Sequence, residues 1–218
     1  MHLGHWSVIS TPAKPAAATD DGRDEGAEAL AEMLQQPLGR FIRELQGWFA
    51  LAASAQRIGV AVEQHGRALR TLTLGASEPW NGGGVLTAPR LRHATLRNVR
   101  EVGEVAHPLL ESLELETAPG HAISEALTSL RCPKLRALTL GGAWRDPWPG
   151  VTELPSLTSL TLEPTSTAIL NAAALPNALG LTELRFTSRL DSPAADTLQR
   201  ASSMFSPRLK VWDARLDP

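Results

Sequence analysis

The stretch Leu110-Glu111-Ser112-Leu113-Glu114-Leu115 carries leucine at its first, fourth and sixth positions, and the same six-residue unit returns along the chain. It reads LRTLTL from Leu69, LRHATL from Leu91, LRALTL from Leu135 and LTSLTL from Leu157, with a looser LTELRF from Leu181. Degenerate copies stand at the two ends: IRELQG from Ile42 and LKVWDA from Leu209. The starts lie 27, 22, 19, 25, 22, 24 and 28 residues apart, a period that marks a repeat architecture. Pro89, Pro108, Pro133, Pro155 and Pro207 each stand two residues before a unit. Proline there donates no ladder hydrogen bond and holds the chain extended, which marks the corner where the chain turns into a strand.

In a strand alternate residues face opposite ways. Positions four and six therefore share one face, and positions three, five and seven share the other. The units are too far apart for hairpins, so they pair as parallel neighbours joined by return segments. Helix-like apolar spacing appears in the returns Ala122–Leu130 (AISEALTSL), Thr167–Leu175 (TAILNAAAL) and Pro193–Phe205, whereas Gly75–Pro89 reads as irregular loop. Before the repeats, Glu25–Gln36 and Leu51–Gln64 are amphipathic helix candidates suited to closing the N-terminal end.

The chain resembles a leucine-rich-repeat protein of bacterial type with irregular repeats, over about Pro37 to Leu216. The segment QQPLGRFIRELQ (Gln35–Gln46) is similar to the approach to the first repeat in bacterial proteins of this kind, where a Pro-x-Gly-Arg-Phe turn precedes the first strand. The resemblance implies an α/β fold, namely a curved right-handed solenoid with a parallel inner sheet of about seven to eight short strands. Helices and irregular coil would then cover its convex side. One departure stands out. The ninth consensus position, an asparagine whose amide bonds neighbouring backbones, holds Ser77, Val99, Ala118, Ala143, Thr165 and Arg189, so coils of unequal size are expected. Residues 1–24, rich in Ala, Pro, Asp and Gly, read as a flexible arm, and residues 25–218 as the repeat domain. Within that domain, residues 25–64 hold the capping helix and the first degenerate repeat. Trp212 is expected inward, plugging the last unit.

Composition narrows the function classes. The 218 residues are 43% hydrophobic with a formal net charge of −2, so there is no global basic footprint and nucleic acid is not an expected partner. No apolar run is long enough for a membrane span. Cys132 stands alone, which excludes an intrachain disulfide and suits a reducing, cytoplasmic setting. Motifs for nucleophilic, phosphate-binding, zinc or dinucleotide chemistry are all missing, so no cofactor, metal or catalytic residue is assigned. Gly82–Gly84 reads as a flexible loop, Cys132 as a small buried residue, and His65, His93, His107 and His121 as scattered surface residues.

The expected function is non-enzymatic binding of a protein partner, since a solenoid offers an extended surface. The candidate contacts on the concave strip are His93, Thr95, Arg97, Glu114, Glu116, Thr139, Thr161 and Glu163. Trp80, Trp144 and Trp148 in the strand-exit loops either anchor a partner or pack back over the coil. One alternative is a structural subunit whose N-terminal arm orders on a partner. Another is a hydrolase using Glu114 and Glu116, although cross-strand pairing with Arg97 or His93 accounts for those carboxylates without chemistry.

Overall fold

Eight hexamers become eight strands lying side by side in chain order in the computed structural model, which describes residues 7–9, 25–37, 39–144, 152–163, 165–174, 180–188 and 191–212. In chain order the elements are β1 (Ser7–Ile9), α1 (Glu25–Gln35), β2 (Glu44–Phe49), α2 (Ala52–His65), β3 (Thr71–Asn81), β4 (His93–Glu101), β5 (Gly103–Ala106), β6 (Ser112–Thr117), α3 (Ile123–Ala126) and β7 (Leu127–Arg131). They continue as β8 (Ala137–Gly141), β9 (Thr152–Glu153), β10 (Ser159–Leu162), α4 (Ser166–Ala173), β11 (Glu183–Phe186), α5 (Ser192–Ala201) and β12 (Lys210–Trp212). The fold is α/β. A nine-stranded sheet runs β1-β2-β3-β4-β6-β8-β10-β11-β12, and a three-stranded sheet runs β5-β7-β9. Every strand pair in both is parallel.

The leucine pattern sets the register. Leu72, Ala94, Leu113, Leu138, Leu160 and Leu184, the fourth residues of successive units, stand opposite one another across the large sheet. They are buried together with the sixth residues Leu74, Leu96, Leu115, Leu140, Leu162 and Phe186. The first residues form a third buried column, from Ile42 to Leu181. The unit from Ile42 has Gly47 at its sixth position, and the ring of Phe49 occupies the space a side chain there would need. At the start of each strand the main chain repeats one arrangement: Arg70 and Thr71 N–H both donate to Arg43 O, and Arg92 and His93 N–H to Arg70 O.

On the other side of the core, α2 packs on β2 and β3, and α1 packs on α2, with Arg57 Nη1 2.6 Å from Glu28 Oε1. Both helices arise where amphipathic spacing places them. Helices α4 and α5 do too; they pack together and begin at side-chain caps. Thr165 Oγ1 accepts from Ala168 N–H at 3.1 Å and Asp191 Oδ1 from Ala194 N–H at 2.8 Å, with Pro193 in the first helical turn.

Two expectations are corrected. Ala122–Leu130 is helical only over Ile123–Ala126. From Leu127 the chain joins β5 and β9 as a strand with Leu127 and Leu130 buried, because a neighbouring edge gives its backbone partners. Gly75–Pro89 is ordered: β3 runs on to Asn81 through a register shift, and Gly83–Thr87 is a 3-10 turn. Within the stretch read as an arm, Ser7–Ile9 is a strand, with Val8 opposite Leu45. In the last unit the backbone register sets Val211 opposite Leu184, and the side chain of Trp212 lies outside the described residues. Among the described residues no helix is long and apolar enough to cross a membrane.

Candidate functional site

The seventh residues of successive units form a row across the open face of the large sheet. Trp48, Gly75, Arg97, Glu116 and Gly141 stand opposite one another in that order, and Glu163 holds the same position in the next unit. The two glycines flank the Arg97–Glu116 pair. At Gly75 the absence of a side chain is required, because the Trp48 ring lies across it and a β-carbon would collide with the indole. The ring stays 43% exposed, its N–H directed to Ser77 Oγ at 3.4 Å.

Arg97 organises the charges. Its Nη2 lies 2.9 Å from Glu114 Oε1 and its Nε 4.0 Å from Glu116 Oε2. Glu163 Oε1 accepts from Gly142 N–H at 3.2 Å. These side chains, with Trp48, Thr139 and the turn Pro119–His121, line a depression of about 710 Å³. Three carboxylates and one guanidinium in its lining leave it with an excess of negative charge. The arrangement can orient a polar partner and reject one of the wrong sign.

Five of the residues expected on this face line the depression: Arg97, Glu114, Glu116, Thr139 and Glu163. His93, Thr95 and Thr161 lie on the same face at the third and fifth positions of their units, outside its lining. The strand-exit tryptophans behave differently. Trp80 is 1% exposed and its Nε1 donates to Arg97 O at 2.9 Å. It turns inward because β3 continues past its hexamer and pairs again at Trp80 opposite Val99. Trp144 is buried too, following Ala143, whose carbonyl accepts from Ile123 N–H at 2.9 Å. Both indoles therefore pack over the coil and present no face to a partner. Trp148 lies outside the described residues.

Two contributors were not among the candidate contacts, although the register puts Trp48 on the outward row. Trp48 sits on the first, degenerate unit, and its signal was the glycine directly opposite it. Asn98 occupies the eighth rather than the ninth position of its unit. With φ of 59° it takes the left-handed conformation, which asparagine tolerates better than most residues, and its Nδ2 donates to Ala76 O at 2.9 Å and Ser77 O at 3.0 Å. It thereby ties β4 to β3.

Other titratable groups serve the fold. Cys132 is fully buried, and burial pushes its thiol up from the ordinary value, opposed by a smaller effect from the His107 backbone. His107, expected at the surface, is buried: Nδ1 accepts from Leu109 N–H at 3.2 Å, leaving Nε2 to donate to Ala88 O at 2.9 Å. Glu183 is held below the usual carboxylate range, first by the hydrogen bond from Arg185 at 2.8 Å and next by that from Ser159 at 2.8 Å. Comparison of the chain with family models, with curated proteins and with solved structures finds no match in any of the three.

Proposed function

We propose that the chain is a leucine-rich-repeat solenoid whose open face is concave and binds a protein partner without catalysing a reaction. The observation carrying this reading is the mixed-charge depression built by Arg97, Glu114, Glu116, Thr139 and Glu163 beside the half-exposed ring of Trp48. Stacked parallel strands supply a wide, rigid base, the charges orient, and the aromatic ring offers area that loses little entropy when covered. Both carboxylates proposed for a hydrolytic alternative face the same guanidinium, which supports a recognition role for them.

The test is capture of partners from the protein's own cells by the full chain and by Glu116→Arg and Trp48→Ala variants, with hydrogen-exchange footprinting of the captured complex. The expected result is a stoichiometric protein retained by the parent chain, lost about tenfold or more by both variants at unchanged melting temperature, with a footprint across β4, β6 and β8. A footprint confined to α4 and α5 would overturn the reading.

A further inference from the structure

Along the edge where β2, β3 and β4 begin, three successive coils carry six arginines: Arg40 and Arg43, Arg67 and Arg70, Arg90 and Arg92. The second residues of these units are stacked by the main chain. Arg70 N–H donates to Arg43 O at 2.7 Å, and Arg92 N–H to Arg70 O at 2.8 Å. The three side chains therefore spring from the residues just before neighbouring strands, which lie about 4.8 Å apart. All six are exposed except Arg43, which is half-buried. Glu111 pairs with Arg92 at 2.8 Å; among the described residues no carboxylate lies within ion-pair distance of the other five. Only one acidic residue, Glu44, falls in the three segments 40–44, 66–71 and 88–93.

Folding does not explain this ridge. The ladder at the second position is made by main-chain groups, so an uncharged residue serves there equally well. The later coils hold Glu111, Arg136, Thr158, Thr182 and Lys210 in the same place, and the two threonine hydroxyls donate to Arg136 O and Thr158 O, each at 3.2 Å. Like charges held on neighbouring backbones repel one another. The first three coils thus carry a feature that works against their own folding, the signature of a surface kept for a ligand.

We infer that this ridge is a docking site for an acidic segment of a protein partner, engaged through several carboxylates. Guanidinium forks match carboxylates bidentately. The ridge crosses three strands, about 10 Å, and ends at Glu111 in the next coil. That length meets a few carboxylates and is short for a nucleic-acid strand, whose sites run to several nucleotides. The acidic open face beside it, with Glu114 and Glu116, repels a polymer charged along its whole length but tolerates a locally acidic protein. The ridge is a separate surface from the depression and stands independently of the function proposed for it.

The experiment measures fluorescence anisotropy of a labelled peptide of about eight glutamates titrated with the full chain. The chains compared are the parent, the double variant Arg67→Ser/Arg70→Ser, and Arg185→Ser on the distant β11 as control. Expected are saturable binding by the parent that weakens with added salt, at least about tenfold weaker binding by the double variant, and parent-like binding by the control. The melting temperature of the double variant should equal or exceed that of the parent, because repulsion has been relieved. Absence of saturable binding, equal binding by the double variant, a destabilised double variant, or tighter binding of a single-stranded oligonucleotide of similar charge would each overturn the proposal.

Discussion

Adjacent residues in one strand have opposite fates here. Leu138 is 1% exposed between Leu113 and Leu160, whereas Thr139 faces the depression. Truncating Leu138 to Ala removes packed methyl groups and leaves a cavity, so chemical denaturation should register a loss of about 2–5 kcal/mol. Thr139→Ala should cost well under about 1 kcal/mol, and equal losses would show the register to be wrong. Cys132 offers a second residue-scale test. A buried thiol with its ionisation pushed up is a poor nucleophile, so native protein should react with a disulfide reagent only as fast as the core opens. Rapid labelling without denaturant would contradict that. Glu183 gives a pH signature. Its carboxyl is held below the ordinary value of 4.5 by Arg185 and Ser159, so the stabilisation is complete above that value and is lost as pH falls through the lower folded value. The pair is partly solvated, so the difference in acid titration between the parent and Glu183→Gln should stay below about 1 kcal/mol.

At the scale of elements, the return segments obey different forces from the strands. Where a side-chain cap and apolar spacing coincide, as at Asp191 with Pro193, a helix forms where the spacing places it. Asp191→Ala should therefore lower stability by about 0.5–2 kcal/mol, measurable as a drop in melting temperature, while Asp191→Asn, which keeps the acceptor, should restore most of it. Where spacing alone suggested a helix, over Ala122–Leu130, pairing with β5 and β9 overrode local preference after one turn. The two inward tryptophans follow the same rule. Gly/Pro-rich neighbours suggested loose loops at Trp80 and Trp144, yet renewed pairing with an adjoining coil, the next one for Trp80 and the preceding one for Trp144, accompanies burial of both rings.

For the whole molecule, each strand of the large sheet pairs only with its neighbours in the order β1-β2-β3-β4-β6-β8-β10-β11-β12, so protection should be greatest in the middle of the sheet and decline toward its edges. Hydrogen exchange should be slowest in β4, β6 and β8 and fastest in β1 and β12; uniform protection across the sheet would contradict a stack held by nearest-neighbour contacts. Much of this was legible in the sequence alone. Leu-x-x-Leu-x-Leu at regular intervals determines the number and order of the eight hexamer strands, their parallel pairing and the identity of the buried leucines, because strand alternation and the lack of room for hairpins leave one arrangement. The same register put Arg97, Glu114, Glu116, Thr139 and Glu163 on one face before any coordinates. What only the tertiary structure decided depends on contacts between distant coils: the strand Ser7–Ile9 beside β2, the small sheet behind the core, the bridging amide of Asn98 and the Trp48 ring seated on Gly75. Local periodicity determines which way a side chain points. Whether that direction meets solvent or another coil is set by the neighbour, and the neighbour is a property of the fold.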